Sequence, residues 1–334
     1  MRYGIFVSLF LTLIFVSCNN DDDGGPESLP PRALSEVSAE DDADIKAFLE
    51  THFYNYEEFE SPPADFDYKI KIDTIAGDNA GKTPLMDMVR STSIAVSTNE
   101  HGLDIEREED VPHILYYLSA RPTFEELDAM GPDPSVGAYP TVADSVYVRY
   151  EGRLLDGTIF DGSTFNPIWF DLARLQDLSQ GARGFAEGIP FLKTGGAIID
   201  NGDGTVSVED YGVGMILFPS GLGYYNDVRG QIPQYSPLMF HIDLFTLNRT
   251  DHDNDGIPSI EEDVNGNGFL YDDNTDADEE DRLRTPRFAN FQDADDDGDG
   301  KSTRSEISDE NGEIIFPYPD SDNDGVPDYL DPDN

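Results

Sequence analysis

Ser145-Val-Tyr-Val-Arg-Tyr-Glu-Gly-Arg-Leu-Leu-Asp-Gly-Thr-Ile-Phe-Asp161 carries the clearest strand pattern in the chain. Val146 to Tyr150 alternates in the manner of a half-buried strand, a Leu-Asp-Gly turn follows at 155–157, and Ile159-Phe160 resumes, so the segment reads as a hairpin. Beyond the hairpin, Ile168-Trp-Phe-Asp-Leu172, Met215 to Phe218 and Leu238 to Leu247 read as further strands. Gly184 to Thr194 reads as one short helix with Phe185, Ile189 and Leu192 on a face and Gly195-Gly196 as its stop. One helix among several antiparallel strands is an α+β arrangement.

Within the same region, Val146-Tyr-Val-Arg-Tyr-Glu-Gly152, Asp156-Gly-Thr-Ile-Phe-Asp161, Arg183-Gly-Phe-Ala-Glu-Gly188, Phe218-Pro-Ser-Gly-Leu-Gly-Tyr224 and Gln231-Ile-Pro233 through Leu238-Met-Phe240 stand in order. Together they resemble the FKBP-type peptidyl-prolyl isomerases over residues 141 to 249, about a third of the chain. The resemblance implies an antiparallel sheet wrapped on one short helix. It also implies an apolar pocket on Tyr150, Phe160, Ile168, Phe185, Ile232 and Phe240. Asp161 would be the acid beside the pocket, Tyr224 the hydroxyl that bonds the substrate carbonyl, and the Ala182 amide a second donor. Such chemistry needs no nucleophile, because an X-Pro amide moved out of water loses part of the conjugation that resists its rotation. Four positions depart from the family pattern: Phe185 replaces the usual tryptophan floor, Ile168 and Ala182 replace bulkier residues, and Tyr225 stands where a glycine usually follows the tyrosine. Residues 197 to 214 are an insertion expected to lengthen a hairpin.

The whole chain of 334 residues carries 21 Lys+Arg against 69 Asp+Glu, a net charge of −48 that argues against a nucleic-acid partner. Arg2 and the apolar run Ile5 to Val16 read as a signal peptide over residues 1–17, too short to span a membrane comfortably. Cys18 after Ser17 resembles a bacterial lipoprotein signal. The lone cysteine would then be the lipidated first residue, holding the protein to the envelope, with the outer membrane as the expected site. No thiol is left for a disulfide, a zinc site or a cysteine nucleophile. Residues 18–34 read as a flexible tether, and Asp21-Asp22-Asp23 as either a surface-export signal or solvated linker.

Residues 251–334 hold 28 acidic and five basic residues, so the segment either stays swollen or is neutralised by something cationic. Three loops repeat one pattern: Asp251-x-Asp253-x-Asp255-Gly256 with Ser259 and Glu262, Asp295-x-Asp297-x-Asp299-Gly300 with Thr303 and Glu306, and Asp320-x-Asp322-x-Asp324-Gly325 with Asp328 and Asp331. Side-chain oxygens at positions 1, 3, 5, 9 and 12, with a carbonyl at position 7 (Ile257, Lys301, Val326), suit calcium better than magnesium. Asp263-x-Asn265-x-Asn267-Gly268 keeps only the first half, ending in Asn274, and reads as either a weak site or a turn. Pro258 and Pro327 inside the loops disfavour EF-hands, and Asp324 to Asp333 resembles thrombospondin type-3 repeats, an extended calcium-coiled array.

Residues 35–140 read as an accessory region packed on the 141–250 domain. They hold a helix near Ile45, Phe48, Leu49 and Phe53 with a capping-type start at Ser38, a strand at Tyr68, Ile70 and Ile72, and another strand from His113 to Leu118 feeding the sheet. All five histidines read as structural. The expectation is therefore a lipid-anchored prolyl isomerase acting on proline-containing exported proteins, with calcium as a structural ion, no cofactor for catalysis and no assigned oligomeric state. The alternatives are an FKBP-like binding module or chaperone of the envelope, and an adhesion role for the calcium repeats.

Overall fold

The computed structural model describes residues 31–102, 106–130, 137–203 and 206–333, so Cys18 and the leader lie outside it. Among the described residues ten strands form: β1 His52–Tyr54, β2 Ile72–Thr74, β3 Arg90–Val96, β4 Val111–Arg121, β5 Ser145–Leu154, β6 Ile159–Asp171, β7 Ile198–Asp200, β8 Val206–Val208, β9 Gly212–Phe218 and β10 Leu238–Asn248. The helices are α1 Leu34–Thr51, α2 Tyr56–Glu60, α3 Phe124–Met130, α4 Leu172–Leu175, α5 Arg183–Gly188, α6 Ala277–Leu283 and α7 Thr303–Glu306. Six strands make one antiparallel sheet in the order β3-β4-β9-β10-β5-β6, and β1–β2 and β7–β8 are separate hairpins. The architecture is the α+β arrangement expected from the sequence.

Both faces of the sheet are covered. Ile216 and Phe218 of β9 and Phe240, Ile242 and Leu244 of β10 pack with Phe185 and Ile189 on one face. Their neighbours Val213, Met215, Leu217 and Met239 pack against Ile45, Phe48 and Leu49 of α1 on the other. This explains why Gly-Val-Gly-Met-Ile-Leu-Phe218 is apolar without alternation: every residue of β9 is buried. The strand expected from His113 to Leu118 does feed the sheet: β4 lies beside β9, with Tyr116 opposite Leu217 and Leu118 opposite Met215, and β3, which the sequence reading did not single out, pairs with it at the edge.

Local differences have local causes. α1 starts at Leu34, four residues before Ser38, because its cap comes from far along the chain. Glu108 accepts from the Leu34 amide (2.5 Å), the Ser35 amide (3.3 Å) and the Ser35 hydroxyl, placing an acid at the helix's positive end. Ser38 is buried one turn on and donates its hydroxyl to the Pro112 carbonyl (2.7 Å). Tyr68 takes a left-handed φ of 54°, so β2 starts only at Ile72. The helix expected from Gly184 to Thr194 ends at Gly188 and continues as a tight 3-10 turn over Ile189–Phe191, since Pro190 has no amide to donate. The insertion at 197–214 forms β7–β8, whose Ile198 and Val206 face solvent.

The acidic segment is folded onto the sheet domain and does not stand away from it. Leu270, Ala289 and Phe291 pack on Ala143 and Ala173, while Ile257, Ile307 and Tyr329 form a second small core. The Gln176 side chain clasps the segment from both sides, donating to the Gly268 carbonyl (2.5 Å) and accepting from the Leu270 amide (3.0 Å). Phe269 covers the Arg183 guanidinium at 4.1 Å.

Candidate functional site

The sheet face carrying α5 holds a cavity of about 260 Å³. Tyr150 from β5, Phe160 and Asp161 from β6, Ala182 and Phe185 at α5, Tyr224 and Ile232 from the loops after β9, and Phe240 from β10 all line it. Eight of the nine expected pocket residues therefore meet. Ile168 faces the same core but does not line the cavity. Phe170, two residues further along β6, does so instead, its ring 5.2 Å from Tyr150 and 5.4 Å from Phe185.

Edge-on contacts fix the aromatic walls: Phe240 lies 5.1 Å from Phe185 and 5.5 Å from Phe160. Gly152 makes that approach possible, because a Cβ there would stand 2.5 Å from the Phe160 ring and 2.9 Å from Phe240. The polar points sit at the rim. The Tyr150 hydroxyl donates to Asp161 Oδ2 (2.7 Å), whose other oxygen accepts from the Gly162 amide (2.8 Å). Burial and the Asp161 bond push the Tyr150 hydroxyl up. Burial likewise raises Tyr224, so both phenols stay protonated at neutral pH and Tyr224 keeps an O–H to donate. The Arg229 guanidinium stacks over the Tyr224 ring at 4.8 Å.

Tyr225 shows how the chain accommodates a side chain where the resemblance implies glycine. It keeps the left-handed backbone (φ 46°) but turns away from the cavity, donating its hydroxyl to the Arg32 carbonyl (2.7 Å) and lying beside His101 (5.0 Å). Asp41 of α1, which the sequence reading did not single out, supports the same loop: its Oδ2 accepts from both the Ser220 amide (2.7 Å) and the Ser220 hydroxyl (2.6 Å). Burial pushes this carboxyl up to about 7, against the opposing pull of the two Ser220 bonds. At the start of α5, Arg183 is buried between Glu187 and Glu100, the latter at 2.5 Å. Its Gly-Phe neighbours were legible, but nothing in the sequence marked Glu100 as its partner.

The acidic loops share one internal scaffold. In each, the position-6 glycine amide reaches back to the first aspartate: Gly256 to Asp251 (3.2 Å), Gly300 to Asp295 (3.2 Å) and Gly325 to Asp320 (3.1 Å). Those glycines have φ of 107°, 94° and 101°, a conformation other residues rarely take. The half-loop repeats it, Gly268 donating to Asp263 (2.9 Å). Carboxylate oxygens of Asp251, Asp253 and Asp255 converge within 4.8 Å, as do those of Asp295, Asp297 and Asp299, and of Asp320, Asp322 and Asp324. Position 12 closes two loops with buried acids, Glu262 and Glu306, all four of whose oxygens lack hydrogen-bond partners. Burial and the facing aspartates push Glu262 up to about 10 and Glu306 to about 7. Position 9 does something else: in every loop it accepts from the amide of position 2, His252 to Ser259 (3.0 Å), Asp296 to Thr303 (3.2 Å) and Ser321 to Asp328 (2.6 Å). Ile257 is buried in the small core, Lys301 pairs with Asp299 (2.9 Å), and Val326 and Asp331 lie at the third loop.

Comparison with known proteins finds two partial likenesses. Over 86 residues, 25% of the chain, it is 38% identical to a probable FKBP-type peptidyl-prolyl cis-trans isomerase, FkpA, of Neisseria meningitidis, a match covering 29% of that relative's length. Among solved structures, a peptidyl-prolyl cis-trans isomerase from Pseudomonas syringae is 24% identical with a TM-score of 0.28, covering 40% of this chain and 76% of that one. FkpA from Escherichia coli is 24% identical with a TM-score of 0.26, covering 40% and 48%. Residues 252–319 match the BamM C-terminal family. The chain is thus similar to FKBP-type isomerases over one part of its length, and to the BamM C-terminal family over its acidic segment.

Proposed function

We propose that the protein is a peptidyl-prolyl cis-trans isomerase acting on X-Pro bonds of exported proteins, held to the bacterial envelope by lipid on Cys18. The observation that carries this reading is an aromatic cavity, open to solvent on one side, with a protonated tyrosine, Tyr224, among its lining residues. A proline ring entering between Phe160, Phe185 and Phe240 leaves water, which lowers the conjugation of the preceding amide. The Tyr224 hydroxyl then donates to a substrate carbonyl and holds the peptide while the bond turns. No proton is transferred. The Tyr150–Asp161 hydrogen bond fixes two further lining residues.

The test is turnover on an X-Pro peptide by the full chain beside Tyr224→Phe. Loss of one neutral hydrogen bond, about 0.5–1.5 kcal/mol, corresponds to a fall of roughly two- to tenfold in kcat/KM. Absence of turnover in the parent protein overturns the reading in favour of a binding module or chaperone. Ile198 and Val206 on the exposed hairpin β7–β8 and Phe165 on edge strand β6 favour that second role, since they offer apolar surface to an unfolded client.

For the acidic segment we propose calcium as a structural ion. The donors are hard oxygens, the loops keep the tight glycine turn, and the buried position-12 acid Glu262 has no hydrogen-bond partner and no ion pair among the described residues. Asp251, Asp253, Asp255 and Glu262 would hold the first ion, Asp295, Asp297, Asp299 and Glu306 the second, and Asp320, Asp322 and Asp324 the third.

A further inference from the structure

Each loop spends its ninth-position oxygen on the amide of position 2, and in loop one a substitute stands close by. Its ninth position, Ser259, is fully buried but spends its hydroxyl on His252, accepting from the amide (3.0 Å) and meeting Nδ1 (2.8 Å). A loop of this kind normally offers an oxygen there, directly or through water. The structure brings one from elsewhere: carboxylate oxygens of Asp253, Glu262 and Asp296 lie within 4.8 Å of one another. Asp296 is not a ligand position of its own loop. It occupies the second place of loop two, next to Asp295, and an alternating pattern assigns such a residue to the outside. It is instead 1% exposed, as is Glu262, and neither oxygen of either side chain has a hydrogen-bond partner.

Two carboxylates buried face to face with no hydrogen bond are strongly disfavoured unless something positive stands between them. Arg304, the nearby cation, packs over Gly256, donates to the Gly312 carbonyl (2.9 Å) and forms no ion pair with these acids. We propose that Asp296 is a ligand of the divalent cation held by loop one, so that a single ion ties loops one and two together. This rests on reading the loops as calcium sites. Its consequence is specific: the two loops load and fold as one unit, while loop three, whose three aspartates belong to one loop, binds independently.

The test uses Tb³⁺ as a calcium substitute on the full mature chain in detergent. Tyr329, packed with Ile257 of loop one, sensitises the bound ion, and decay rates in H₂O and D₂O count the waters on it. Asp296→Asn is expected to weaken the Tyr-sensitised step at least tenfold and to add at least one coordinated water. Calcium displacement of Tb³⁺ should weaken in parallel. An Asp296→Asn protein with unchanged affinity and hydration overturns the shared site while leaving calcium binding intact. A parent protein that binds neither Tb³⁺ nor Ca²⁺ overturns the calcium reading itself. Should Asp296→Asn fail to fold, Asp296→Glu decides. It keeps the charge but moves the oxygens by one methylene, so an unaltered hydration number and affinity again refute the shared ion.

Discussion

Replacing Asp41 by asparagine should make the protein more stable at pH 8 and flatten its response to pH. Asp41 is 3% exposed and its carboxyl is raised from 3.8 to about 7, mainly by burial, with the neighbouring Asp44 and Glu40 charges adding to the shift. A carboxyl raised on folding contributes fully below its unfolded pKa. That contribution is lost as pH climbs through the folded value, because ionisation then favours the unfolded chain. Over a window of about three pH units, at roughly 1.4 kcal/mol each, the loss approaches 4 kcal/mol, an upper figure. Asparagine keeps an oxygen for the Ser220 amide and hydroxyl and never ionises. The assay is urea unfolding followed by Trp169, the chain's only tryptophan, from pH 4.5 to 8 with excess calcium. The difference between parent and Asp41→Asn should grow with pH and level off above pH 7. A variant less stable than the parent at pH 8, with a parallel pH curve, would refute the burial argument.

Gly152→Ala should cost about 1–3 kcal/mol in stability and reduce peptide turnover, because its methyl meets Phe160 and Phe240 at sub-van-der-Waals distance; denaturant melts and isomerase assays check both. Ser259→Ala should leave calcium affinity within about twofold while Glu262→Gln lowers it tenfold or more, since the serine is committed to His252 and the glutamate is an unpartnered buried acid; calorimetric titration distinguishes them. Chelation should expose residues 251–333 to protease while the six-stranded sheet keeps its protection, and a cleavage pattern indifferent to calcium would count against the ion.

The sheet was largely legible because its strands alternate or are apolar throughout, and local pattern suffices for that. The pocket was legible through motif resemblance, with one miss: Ile168 and Phe170 share a face of β6, opposite Val148 and Val146, and only the longer aromatic reaches the cavity. A kink in the register between Val148 and Tyr150, where the partners jump from Ile168 to Ser163, lies between the motif and that residue and carries no sequence mark. Illegible features depend on distant partners. Glu108 capping α1, Asp41 holding Ser220 and Asp296 entering loop one join residues separated by up to 179 positions, and no window of sequence contains both ends.

The strand order carries a consequence for how the chain is made. The two central strands, β9 and β10, are the last of the sheet to be synthesised, while β3–β4 and β5–β6, which flank them, come first. Until residue 248 has emerged, the flanking hairpins lack the two strands that join them, β3–β4 resting on α1 alone, and two-stranded ribbons are marginal in water. Closure joins Tyr116 to Leu217 across about a hundred residues, so it is slow and all-or-none. A nascent chain with this topology can complete its sheet only after residue 248 has been made, so the sheet forms late in synthesis.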